Sequence, residues 1–168
     1  MRASSMNYIA TYEGNGSPQD PYVKAAIGFL ELGDPLAAWD ELEQIPAEYR
    51  AESIVLVMRY EIYMALEKWD EAVEIARYLV KAVPDEPLLF VNLGMAEVKK
   101  TGYEAGEGIL REALVTFPDH PNLIYNLACY CAQVGKIEEA KQLLAKAIEL
   151  DPVFKEPSLE DEDLKAIW

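Results

Sequence analysis

The chain has 168 residues, 51% of them apolar and 27% charged, and a net charge of -15. Acidic residues outnumber basic ones in each of the stretches 1–52, 53–86, 87–120 and 121–168, so the clustered positive field that phosphate neutralisation needs is absent and nucleic acid is not an expected partner. Ten prolines and nine glycines are too few for a disordered or fibrous chain, and the apolar content is enough for a continuous core.

Residues 1–18 read as a flexible arm: Tyr8, Ile9 and Tyr12 precede Gly14-Asn15-Gly16-Ser17. The arm has Arg2 but no apolar run of signal-peptide length, and the most apolar stretch of the chain, Ile54 to Leu66, is interrupted by Arg59 and Glu61. No membrane insertion is expected, and the predicted location is the cytoplasm. The first helix after the arm carries Phe29 and ends at Gly33; the next starts at Asp34, holds Ala38 and Leu42, and meets Pro46 early enough to stop about one turn short. Residues 53–86 give a helix with Tyr63 and a second with Trp69 and Ala72, closed by Pro84. Arg59 stands there where Leu is usual, which predicts either a rotated helix or an Arg stem laid on apolar surface.

Residues 87–120 repeat the arrangement with Phe90, Leu93, Gly94, Tyr103, Leu110, Ala113 and Pro118, but have Gly106 at the small-residue position, which should weaken packing. Residues 121–152 show it most regularly, with Leu127, Ala128, Gly135, Ala140, Ala147 and Pro152. In the last stretch, 153–168, Ser158 ahead of Glu160, Asp161 and Glu162 predicts the start of a capping helix whose apolar edge is Leu164, Ile167 and Trp168.

The beat behind these elements is regular. Ala38, Ala72, Gly106 and Ala140 stand 34 residues apart, as do Pro84, Pro118 and Pro152. A period of this length means stacked helix-turn-helix units, none of which can bury its apolar face alone. With this spacing and these residue types the chain closely resembles the tetratricopeptide repeat family, with units at 19–52, 53–86, 87–120 and 121–152. The resemblance implies an all-α, right-handed superhelical solenoid of about four units, finished by a C-terminal capping helix. It also implies a scaffold that binds proteins or peptides along a concave groove.

In that family, positions 2, 5, 9 and 12 of each first helix line the groove. Here they include Val23, Ile27 and Leu30; Ile54, Val57, Glu61 and Met64; Leu88, Val91, Met95 and Val98; and Tyr125 and Cys129. The opposite side of the same helices is apolar too, so something is expected to cover the groove side. Members that clamp a terminal carboxylate place Lys, Arg and Asn in the groove; of that set only Asn92 and Asn126, at position 6, occur here. The implied ligand is therefore a peptide with apolar anchors, with acidic residues such as Glu61, Glu31 and Glu86 at the rim favouring basic flanks. A self-associating structural protein, a homo-oligomer, the chain's own arm in the groove and a chaperone for secreted hydrophobic proteins stand as alternatives.

Little in the sequence points to catalysis, and neither a cofactor nor a metal is expected. The single histidine, His120, falls between Asp119 and Pro121 in a repeat turn, where a solvent-exposed loop residue is predicted. Cys129 and Cys131 point in different directions on one helix and cannot share a metal or form an ordinary disulfide. Cys131 should face the helix pair, and Cys129 should face outward, reactive if the surface there is open. Phosphate-loop and Ser-His-Asp patterns are missing.

Overall fold

The computed structural model of the chain describes residue 14 and residues 16–168. The predicted arm lies outside the described residues except at its end, where the Asp20 carboxylate accepts hydrogen bonds from the amides of Gly16 (2.7 Å) and Ser17 (3.0 Å). Among the described residues there are helices and turns but no strand. They fall into two compact units that part between Val83 and Pro84.

The unit ending at Val83 holds two helix pairs, α1 (Asp20–Glu31) with α2 (Pro35–Glu43), and α3 (Ser53–Ala65) with α4 (Trp69–Ala82). Proline in the first turn of α1 and α2 fits the missing amide donors there, and the Asp34 side chain caps α2 by accepting from the Ala37 amide at 3.0 Å. Gly33, φ 76°, supplies the left-handed residue that ends α1; the equivalent residue after α3 is Glu67, φ 59°. The α2 helix is short, as Pro46 predicts. Arg50 serves its open end, donating to the carbonyl of Glu43 at 2.6 Å and to that of Ile45 at 2.7 Å. Arg59 lies with its guanidinium 4.7 Å from the centre of the Trp39 ring and pairs with Glu43 at 2.8 Å, so the substitution at a usual Leu position ties α3 to α2.

The unit Pro84–Trp168 holds α5 (Pro87–Thr101) with α6 (Tyr103–Thr116), α7 (Pro121–Gln133) with α8 (Ile137–Leu150), and a C-terminal segment. Second helices bury one stripe, as Ala140, Leu144 and Ala147 show in α8. The first helix α7 is different: every residue from Leu123 to Ala132 is buried. Its outer side is covered by the C-terminal segment, formed by a 3-10 turn (Pro152–Phe154), the short α9 (Lys155–Glu160) and a 3-10 helix (Glu162–Ile167). That last helix contacts both α7 and α8, just as α7 itself contacts both α5 and α6. It lies against the last pair chiefly through α7, whereas α7 lies chiefly against α6.

Two sequence expectations change here. Ser158 does not start a helix: it is buried inside α9 and its hydroxyl donates to the Lys155 carbonyl at 2.8 Å. The residue that opens the 3-10 helix is Asp161, whose carboxylate accepts from the Asp163 amide at 3.1 Å. Leu164 and Ile167 are buried as the apolar edge requires, but Trp168 is 64% exposed and only its indole N–H is held, donating to the Ser158 carbonyl.

Gly106 does not loosen the packing of α5 on α6. A methyl group added there would sit 2.4 Å from Val98 Cγ2 and 2.9 Å from the Gly94 carbonyl oxygen, so the two helices approach more closely than alanine allows. Gly106→Ala is expected to destabilise the unit by about 1–3 kcal/mol through overpacking, outweighing the better helix propensity of alanine. Gly108, in the same helix with nothing within 4 Å of where a Cβ would sit, supplies the control: Gly108→Ala should stabilise by up to about 1 kcal/mol. Denaturant melts of the two variants check both signs.

Candidate functional site

The structure sorts the predicted groove residues by position rather than by repeat. Val23, Val57, Val91 and Tyr125, all at position 5, are between 0% and 3% exposed. Buried to this degree, they offer a ligand almost no surface in this structure. Asn92 and Asn126 at position 6 are also buried, and the Asn126 amide is used within its own helix, donating to the Asn122 carbonyl at 2.8 Å. Positions 9 and 12 differ: Ile27, Leu30, Glu61, Met64, Met95 and Val98 are partly exposed, as are Ile54 and Leu88 at position 2.

In the unit Pro84–Trp168 the last repeat departs from this pattern because its own C-terminal segment lies on it. The Tyr125 ring stacks on Phe154, centroids 4.7 Å apart at 23°, and the Tyr125 hydroxyl donates to Asp161 Oδ2 at 2.7 Å. Burial, reinforced by that carboxylate, pushes the phenol well above its ordinary range. Tyr103 donates to Asp163 Oδ1 at 3.0 Å and the Gln133 side chain to the Asp163 carbonyl at 2.9 Å, so both acidic residues are tied down. Cys129 is 3% exposed beneath this cover, and burial, followed by the nearby Asp161 and Asp163, pushes its thiol well up. The outward-facing reactive thiol expected at Cys129 is thus a packed, protonated one. In the same unit Leu88, Met95 and Val98 pack against the core around α7.

The unit ending at Val83 presents a different face. On α3, residues 54, 57, 61 and 64 are spaced to share one side. Ile54 and Met64 are partly exposed there, with Ile27 and Leu30 partly exposed on α1, which packs against α3. Glu61 stands in this apolar setting, and it is not a rim residue. One carboxylate oxygen, Oε1, is closed off from solvent and has no hydrogen-bond partner among the described residues. Burial alone pushes the Glu61 carboxyl up to about 7. At position 9 the other repeats have Ile27, Met95 and Cys129, so the packing of the repeat does not call for a carboxylate.

His120 is partly buried rather than a solvent-exposed loop residue: its Nδ1 is buried with no hydrogen-bond partner among the described residues, and desolvation lowers its pKa despite the opposing charge of Glu86. Cys131 faces the helix pair, 0% exposed, with an Arg111 nitrogen 3.6 Å from its sulfur. A network that periodicity does not reveal centres on Glu107, 6% exposed, which receives Arg111 at 2.8 Å from its own helix and Lys136 from the turn before α8. Burial works against the Glu107 charge, but these two donors hold its carboxyl below the usual range. Among the described residues, no cluster of His, Cys, Asp or Glu is placed to hold a metal ion, and no helix is long and apolar enough to cross a membrane.

No family model matches the chain. It is similar to the cellulose synthase operon protein C of Pseudomonas fluorescens (strain SBW25), with 27% identity over 135 residues; the match takes in 79% of this chain but only 10% of that protein. Among solved structures it is similar to MamA AMB-1 (21% identity, TM-score 0.58, 80% of this chain and 73% of that one). It is similar also to MamA MSR-1 (21% identity, TM-score 0.57, 80% and 77%) and to a double mutant of MamA RS-1 (20% identity, TM-score 0.57, 83% and 78%). Together with the 34-residue register and the paired helices, these likenesses show an all-α fold of helix pairs, the architecture that the resemblance to the tetratricopeptide repeat implies.

Proposed function

We propose that the chain is a protein-interaction scaffold that takes up a peptide with apolar anchors on the face formed by α1 and α3. The observation that carries this reading is the contrast between repeats. In the last repeat Cys129 and Ala132, at positions 9 and 12, are buried, and Phe154 and Asp161 of the C-terminal segment engage Tyr125 of the same helix, whereas Ile27, Leu30 and Met64 at positions 9 and 12, with Ile54, stay partly exposed. Apolar side chains at positions 9 and 12 of neighbouring first helices suit an amphipathic helix, whose own anchors recur at i, i+3, i+4 and i+7, and Met64 adds an adaptable contact. The repeat fold supports a binding role of this kind, and the absent Lys and Arg in the groove argue against capture of a bare carboxylate.

The test uses positions the structure leaves accessible. Val57 and Val91 are core residues, and a charge there would unfold the protein before it blocked a ligand. Leu30→Glu combined with Met64→Glu is expected to abolish binding of short synthetic amphipathic peptides, read by fluorescence anisotropy, while the far-ultraviolet circular dichroism of the protein is retained. Unchanged binding by the doubly charged variant would remove this face as the site.

A further inference from the structure

Glu61 is a carboxylate without an evident reason in the fold. Buried polar groups are almost always partnered, and a buried charge is stabilised by pairing or else gives up its charge. Yet Glu61 Oε1 is closed off with no hydrogen-bond partner among the described residues. One helical turn away on either side stand Val57 and Met64, so its own helix face supplies no cation. Arg50, in the turn between α2 and α3, and Arg59, on α3, are engaged elsewhere, both on Glu43.

We propose that Glu61 is a specificity-determining residue of the α1–α3 face, pairing with a lysine or arginine that a bound peptide carries between its apolar anchors. The proposal rests on the peptide-binding reading given above and specifies its ligand. A cation delivered there would supply the missing partner in a desolvated setting, where a charge-assisted hydrogen bond is stronger than in water. The acidic balance of the chain, with a net charge of -15, would draw a basic peptide toward the surface before that contact forms. The carboxyl's rise to about 7 fits a group that lacks its counterion in the free protein. A neutral or acidic residue at the same point of the peptide would leave the Glu61 carboxylate desolvated and unpaired, so the site discriminates by penalty as well as by attraction.

The experiment uses two synthetic amphipathic peptides with the same Leu anchors, differing only in a central Lys or Gln, titrated by fluorescence anisotropy against the full chain and against Glu61→Gln. The wild-type protein is expected to prefer the Lys peptide by about tenfold, and Glu61→Gln to bind both alike at roughly the affinity of the Gln peptide. Circular dichroism of the variant confirms that it is folded. Equal binding of the two peptides by wild type, or a preference that survives in Glu61→Gln, overturns the role of Glu61 while leaving the peptide face intact. If neither peptide binds, the peptide-binding reading fails and the inference falls with it. Zero-length carbodiimide coupling of the peptide-free protein, followed by mass spectrometry, examines other occupants. A link from Glu61 to the chain's own terminal amine or to a lysine of a second copy would overturn the proposal in favour of that occupant, and coupling of Glu61 only to added Lys peptide supports it.

Discussion

Phe154→Ala is expected to lower the stability of the unit Pro84–Trp168 by about 3–5 kcal/mol, the usual cost of emptying a buried phenylalanine site. Phe154 is 7% exposed and stacks on Tyr125, whose hydroxyl reaches onward to Asp161, so one truncation removes an aromatic contact and loosens the seat of the 3-10 helix behind it. The consequence spreads to α7, which is buried over ten successive residues and has the C-terminal segment against it. For domains with a total stability of about 5–15 kcal/mol, this loss is a large fraction. Chemical denaturation of the wild type and Phe154→Ala checks it, and Val153→Ala, at a residue 64% exposed, serves as the control. A loss below about 1 kcal/mol for Phe154→Ala, within the range of ordinary surface changes, would mean that the segment does not seal the array.

Glu61→Gln is expected to stabilise the protein in a pH-dependent way. The carboxyl is raised from 4.5 to about 7 by burial, so the folded state holds its proton more tightly than the unfolded state. Below 4.5 the group is protonated in both states and costs nothing; as pH rises through the window from 4.5 to about 7, the folded state becomes progressively less stable relative to the unfolded one. Above about 7 the full penalty applies, about 3 kcal/mol for a rise of this size. Glutamine mimics the neutral acid, so the difference between variant and wild type should vanish below 4.5 and reach its full value above about 7. The wild-type curve alone would mislead. His120, lowered from 6.5 by burial, loses stability as pH falls and opposes Glu61 in the same interval. Both proteins carry His120, so it cancels in the difference. Melts of the pair across pH make the measurement, and a difference independent of pH would show that Glu61 is solvated.

The helix pairs were legible from the sequence because small residues, prolines and turn glycines recur at one interval, and each acts locally. Gly33 and Gly135 take positive φ where the turn demands it, and Ala38, Ala72 and Ala140 sit buried where helices cross. Two features escaped that reasoning for physical reasons. An apolar residue at position 5 and one at position 9 lie a single turn apart, and spacing cannot say which of them meets the adjacent helix. In the structure position 5 is the more deeply buried of the two, at Val23, Val57, Val91 and Tyr125. The cap of the last helix was misplaced because Ser158 and Asp161 are both able to cap, and the choice between them depends on where Phe154 anchors the chain. Gly106 was misjudged for a related reason. A glycine in a helix reads as a local weakness until the neighbouring helix is seen to need the space.

Because the 3-10 helix Glu162–Ile167 lies against the last pair, chiefly on α7, a longer array is most simply built upstream of that segment. A duplicated unit spliced in at the Asp119-His120-Pro121 turn would still present Tyr125-type contacts to Phe154 at its far end. A unit joined after Trp168 would find the seat taken. For building longer versions of this scaffold, growth therefore belongs in the middle of the chain, with the closing segment carried along unchanged.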